Sequence, residues 1–168
     1  MSSSDRLLPH IQEIDADEAG PDPSEVSRRY GIPLKDVVML GRNENPYGPS
    51  PRALEAMKGA GLHRYPDRGQ LLEALSHYTG HPAEGIILGA GLDEIILTLP
   101  RLFLGAGDRA LIPVPTYTLY ALSVRLCGAQ PVLSPRLEGS SLDSLVPEGV
   151  KMTFLCAPNN PTGDVISE

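Results

Sequence analysis

The chain alternates between short apolar runs and longer stretches with apolar residues on one helical face. Ile86-Ile87-Leu88 is a compact apolar run and predicts a buried strand. Ile95, Ile96, Leu99, Leu102 and Phe103 then recur at helical spacing, which predicts a helix over 92–104. Pro100 falls inside it and should kink it, because it removes an amide and crowds the carbonyl of Ile96. The alternation continues with a strand at 110–112, a helix at 118–126 and strands at 131–133 and 152–156, the last reached through a polar link from Glu138 to Gly149. Strand–helix–strand repetition predicts an α/β fold with a largely parallel sheet.

Upstream of residue 86 the signals are helical. Ser24–Tyr30 reads as a short helix with Ser24 as its cap, and Gly31 ends it. Ser50 can cap a helix opening with Pro51 and running to Gly59. Gln70–Tyr78, with Leu71, Leu72 and Leu75 on one face, predicts another helix, closed by Gly80. Val37–Leu40 is a candidate strand leading into the turn residues Asn43-Glu44-Asn45-Pro46.

Composition narrows the classes. With 168 residues and 41% apolar, the chain can form a packed core. Fourteen basic against 21 acidic residues give a net charge of −7, which argues against nucleic acid or an anionic membrane as partner. No cationic leader precedes an apolar run, and the most apolar stretch, 86–104, is broken by Asp93, Glu94 and Arg101, so neither a signal peptide nor a membrane span is expected. Cys127 and Cys156 have no metal or C-x-x-C spacing and read as free thiols; the four histidines form no metal motif. A cytoplasmic location follows as the default.

Three loops follow predicted strands, at the ends where parallel sheets bind ligands. Gly89-Ala90-Gly91-Leu92-Asp93-Glu94 turns a strand into a helix, and a helix N-terminus suits a phosphate. The third glycine of a dinucleotide fingerprint is absent. Taken alone, Asp93 and Glu94 serve equally well to complement the helix dipole. Tyr117, in Pro113–Tyr117, can stack on a flat ring, or can be an ordinary loop aromatic. Asn160, in Ala157–Gly163, can donate to a ring oxygen, or can simply belong to a turn.

Taken together, NENPYGPSPRALEAM (43–57), RYPD (64–67), GAGLDEII (89–96), PTYTLY (115–120) and NNPTG (159–163) give the chain a resemblance to a known family. From about Val26 onward it resembles the N-terminal half of a pyridoxal-phosphate-dependent aminotransferase of fold type I, nearest to the histidinol-phosphate aminotransferases. The resemblance implies a three-layer α/β/α large domain, here incomplete, preceded by an N-terminal helical arm. It divides the chain into an arm with the first helices at 1–60 and the start of the large domain at 61–168.

The resemblance also implies roles. Gly91, Leu92 and Asp93 form the turn that holds the phosphate of pyridoxal 5'-phosphate. Tyr117 stacks on its ring, Asn160 bonds the ring's 3-oxygen, and Tyr65 reaches the cofactor of a neighbouring subunit in a homodimer. Asn45 borders the substrate. His10 stands nearest to a family tyrosine that touches the substrate phosphate. Substrates would be an amino compound such as L-histidinol phosphate and a 2-oxo acid, in histidine biosynthesis. Threonine-phosphate decarboxylase-like or aromatic aminotransferase activity is the alternative within the group.

The family's Schiff-base lysine has no counterpart among Lys35, Lys58 and Lys151, so no catalytic residue is assigned. The chain reads as a fragment, one half of a split enzyme that binds a partner chain, or a non-catalytic remnant, and is expected to be inactive alone.

Overall fold

The computed structural model describes residues 6–14, 20–136 and 147–165. They fall into two units, one within Met1–Asp15 and Glu84–Glu168, the other within Ala16–Ala83.

The first unit is built on a three-stranded parallel sheet in the order β2-β1-β3, with β1 at Arg109–Val114, β2 at Gln130–Pro135 and β3 at Met152–Thr153. β1 pairs with β2 from Arg109↔Gln130 to Val114↔Pro135, and with β3 at Ala110↔Met152 and Leu111↔Thr153. Ala110, Leu111 and Ile112 are all essentially inaccessible, as expected of a central parallel strand covered on both faces. Ala110 and Ile112 share a core with Leu104, Val124 and Ala129, edged by Tyr120, Met152 and Phe154. Val124 belongs to α6, Leu119–Leu126, the crossover between β1 and β2.

Two further helices complete this unit. Helix α1 is a single turn at Pro9–Gln12, and α5 spans Leu92–Phe103. α5 runs on through Pro100, whose ring is buried with Ile96, and the Leu104 amide still donates to the Pro100 carbonyl at 2.6 Å. The inward stripe is therefore Ile96–Pro100–Leu104; Leu102 and Phe103, expected on that face, are exposed. Ile86–Leu88 forms no regular element: among the described residues no strand pairs with it, and Ile87 is exposed. An apolar run records a tendency to be covered, and a strand also needs a neighbour for its amides. β3 is shorter than the expected 152–156, although the Lys151 and Phe154 amides extend its hydrogen bonding to Arg109 and Leu111. The 138–146 part of the expected polar link lies outside the described residues.

The second unit carries α2 (Pro23–Tyr30), α3 (Pro51–Lys58) and α4 (Gly69–Thr79). The cap of α2 is Asp22, whose Oδ1 accepts the Ser24 amide at 2.8 Å, and not Ser24 itself. Pro23 explains the offset, because proline suits the first helical position and leaves the residue before it as cap. Ser50 occupies the cap position of α3 but makes no capping bond with its side chain. Val37–Leu40 forms no strand. Among the described residues of this unit none is fully buried.

Candidate functional site

The C-terminal ends of β1 and β3 and the N-terminus of α5 meet in the first unit. Gly91 occupies the cap position of α5 with φ 80° and ψ 177°, a conformation essentially closed to residues with a Cβ. Gly89 is needed for a different reason. A Cβ there would lie 3.1 Å from the Gly91 carbonyl oxygen and 3.0 Å from Ile95 Cγ1. Inside the turn, Glu94 Oε2 accepts the Ala90 amide at 2.5 Å. This is a capping-box-like reach from the first turn of the helix back to the preceding chain.

The second loop lies against this turn. The Tyr117 hydroxyl donates to Asp93 Oδ1 at 3.1 Å, so the aromatic ring and the first turn of α5 are neighbours. The Tyr117 ring meets Tyr120 edge-on, with centroids 5.8 Å apart, and Tyr120 stacks on Phe154 at 5.0 Å. Burial, and then its hydrogen bond to Cys156, push the Tyr120 phenol up to about 12, so it stays neutral and serves as a wall.

The third loop is held from two sides. Asn159 is only 3% exposed. Its Oδ1 accepts from Thr116 Oγ1 at 2.8 Å, and its Nδ2 donates to the Pro115 carbonyl at 2.9 Å and to Thr162 Oγ1 at 2.7 Å. The Thr162 hydroxyl in turn donates to Asp164. Arg136, just past β2, donates from Nε and Nη2 to Asp164 Oδ2 at 2.9 and 2.5 Å and from Nη1 to the Cys156 carbonyl at 3.3 Å. Asn160 is half-buried, and its amide donates to Cys156 Sγ at 3.4 Å.

The structure thus brings Gly91, Leu92, Asp93 and Tyr117 into one neighbourhood, and ties the Asn160 loop to the Tyr117 loop. His10 is elsewhere. It packs beside Gly128 and lines a cavity of about 290 Å³ with Glu13, Arg125 and Gln130, at the N-terminal end of β2 and thus at the opposite end of the strands. A one-turn α1 packed on α6 holds it there. Lys151 is also at that end, paired with Asp108 at 2.9 Å. In the other unit, Tyr65 is fully exposed. The Asn45 side chain there is spent on its own turn, donating to the Gly48 carbonyl at 2.7 Å and accepting from the Tyr47 amide at 3.1 Å. Lys58 pairs with Glu55 at the surface.

Sequence reasoning missed Asn159, Thr116, Arg136 and Asp164. The one available signal was the doubled asparagine at 159–160, since a turn before proline needs only one. Among the described residues, no group of three or more His, Cys, Asp or Glu could hold a metal ion, and no helix is long and apolar enough to cross a membrane.

Comparison with known proteins adds the family. The family described as Aminotransferase class I and II matches residues 35–168. The chain is similar to the histidinol-phosphate aminotransferase of Methanosarcina mazei, at 39% identity over 100% of this chain and 49% of the relative. It is also similar to that of Roseiflexus castenholzii, at 42% identity over 82% of this chain and 41% of the relative. It therefore spans about half the length of the curated relatives it matches. Among solved structures, histidinol-phosphate aminotransferase from Sinorhizobium meliloti, in complex with pyridoxal-5'-phosphate, is similar with a TM-score of 0.74 at 25% identity, covering 94% of this chain and 44% of that one. The aspartate aminotransferase from Rhizobium meliloti shares the fold, with a TM-score of 0.75 at 22% identity over 96% of this chain and 45% of that one. The residues, their order and these matches agree: the chain belongs to the class I and II aminotransferase family.

Proposed function

We propose that this chain supplies the cofactor cradle of a pyridoxal-phosphate-dependent aminotransferase acting on L-histidinol phosphate and 2-oxoglutarate, a cytoplasmic step of histidine biosynthesis. The observation that carries the reaction class is the Tyr117–Asp93 hydrogen bond, which puts an aromatic ring beside a glycine-opened helix N-terminus. The names of the curated relatives support the substrate.

The residues fit the cofactor chemically. A phosphate suits the Gly91–Asp93 turn, where backbone amides and the helix dipole favour an anion and the lack of side chains at Gly89 and Gly91 lets it approach. Tyr117 offers the face for the ring, and Asn160 offers an amide for the 3-oxygen. Pyridoxal phosphate supplies an electron sink that makes the substrate's α-position reactive. The chain's part is to bind, orient and exclude water. The hydrophobic wall of Tyr120 and Phe154 keeps a low-dielectric side to the site, where each hydrogen bond counts for more.

We assign no proton-transferring lysine within these 168 residues. Lys151 pairs with Asp108 at the far end of the strands, and Lys35 and Lys58 lie outside any serine–lysine motif. Turnover is therefore expected only when the chain is joined by a lysine-bearing remainder. A second copy of the subunit, reached by the exposed Tyr65, is the proposed partner at the cofactor phosphate.

Absorbance and fluorescence titration of the chain with pyridoxal phosphate tests the site. Tyr117→Ala should weaken retention by about 1 kcal/mol, whereas Tyr117→Phe keeps the ring and should change it little. Equal losses in the two variants would mean that the hydroxyl on Asp93 matters and the stacking does not. Transamination of L-histidinol phosphate by the 168-residue chain alone would overturn the lysine argument.

A further inference from the structure

The side chain that joins the second and third loops is one to which the site reading gives no part. Asn159 uses every polar group it has. Its amide oxygen accepts from Thr116, and its Nδ2 donates to both Pro115 and Thr162. Its backbone N–H donates to the Asp164 carbonyl at 2.8 Å, and its carbonyl accepts from the Gly163 amide at 2.7 Å. Thr116 directly precedes Tyr117, and Asn159 directly precedes Asn160.

We propose that Asn159 is a positioning residue: one buried carboxamide sets the spacing between Tyr117, the ring-stacking group, and Asn160, the 3-oxygen donor. The proposal rests on the cofactor reading given above. The chemistry is specific to asparagine. An acceptor and two donors must sit on one short planar group. Aspartate matches the shape but has no N–H, so it would turn an oxygen toward the Pro115 carbonyl and bury a charge. Alanine would leave the Pro115 carbonyl and the Thr116 hydroxyl without the partner that Asn159, itself only 3% exposed, supplies to both.

The test uses the full chain with Asn159→Asp, Asn159→Ala and Thr116→Val. Thr116→Val leaves Asn159 in place and removes one bond from the opposite loop, so it remains informative if the Asn159 variants fail to fold. Hydrogen exchange is followed by mass spectrometry over 115–120 and 156–165, and pyridoxal phosphate affinity by titration. Thr116→Val should speed exchange in both segments and weaken binding about fivefold; Asn159→Asp should weaken it about tenfold or more. The Thr116→Val/Asn159→Ala double variant should bind no worse than Asn159→Ala alone, because both act through one bond network. Faster exchange confined to the substituted segment, or additive losses in the double variant, would overturn the proposal and leave Asn159 closing only its own turn. Failure of the unsubstituted chain to bind pyridoxal phosphate would sink the cofactor reading instead, while the exchange measurements would still decide whether Asn159 couples the loops.

Discussion

Gly91→Ala adds a single methyl group, and it adds it in open space: no atom lies within 4 Å of the position a Cβ would take. The objection to it is entirely conformational. At φ 80° and ψ 177°, a residue other than glycine carries a strain of about 1–3 kcal/mol. Loss of glycine freedom in the unfolded chain returns about 0.4–1 kcal/mol, so the net destabilisation should be on the order of 1–2 kcal/mol. Gly89→Ala is the complementary case. There the methyl meets the Gly91 carbonyl at 3.1 Å, and backbone cannot step aside as the Ile95 and Glu94 side chains can. Overpacking of this kind costs about 1–3 kcal/mol. Urea unfolding followed by circular dichroism measures the global term, and hydrogen exchange at Leu92, Asp93 and Glu94 shows whether the strain is relieved by opening the first turn of α5. Both variants should also lose affinity for pyridoxal phosphate. A Gly91→Ala chain with unchanged stability, unchanged exchange at that turn and unchanged affinity would refute the argument that this glycine shapes the site.

Ile112→Ala, at a position 1% exposed in the central strand, should cost about 2–5 kcal/mol in the same unfolding assay, and a loss below 1 kcal/mol would show a looser core than described. The Asp108 carboxyl is held below its ordinary value of 3.8, mainly by the hydrogen bond from Lys151 and then by the Gly105 amide. A carboxyl depressed on folding adds stability above its unfolded value and loses it as pH falls through the folded one. The stability gap between the unsubstituted chain and Lys151→Met should therefore be constant at neutral pH and shrink below about pH 3.8. A gap that persists unchanged into acid would separate the pairing from the titration.

The elements around β1 were legible because pattern and burial coincide there. Ala110-Leu111-Ile112 is apolar without alternation, and the structure covers it on both faces. Ile86–Leu88 has the same look and forms no strand, because a sequence window shows apolarity and cannot show whether a second backbone lies alongside. Gly91 to Asp93 and Tyr117 stood out in the sequence as members of one candidate site, and the structure makes them neighbours through the Tyr117 hydroxyl on Asp93. Asn159 was not readable. Asparagine in a turn is ordinary composition, and only the fold reveals that this one is buried and bonded to residues more than forty positions away. His10 illustrates the converse. Its place near the N-terminus invited a substrate role, while packing against Gly128 puts it at the other end of the strands.

The sheet order carries a consequence for the time course of assembly. β1 pairs with β2 between Arg109 and Gln130, but with β3 between Ala110 and Met152, a separation about twice as long. Contacts between more distant segments form more slowly, since more chain must be brought together before they are rewarded. The bonds from Asn159 to Thr116 and Pro115, spanning 43 and 44 residues, belong to that later event. A refolding chain should therefore gain its β1–α6–β2 core first and acquire a closed cradle only when the third strand docks. Ligand present during refolding then rewards the finished sheet by mass action without hastening its first pairing. Competence to bind becomes the last property the nascent unit acquires, and so a reporter of completed folding.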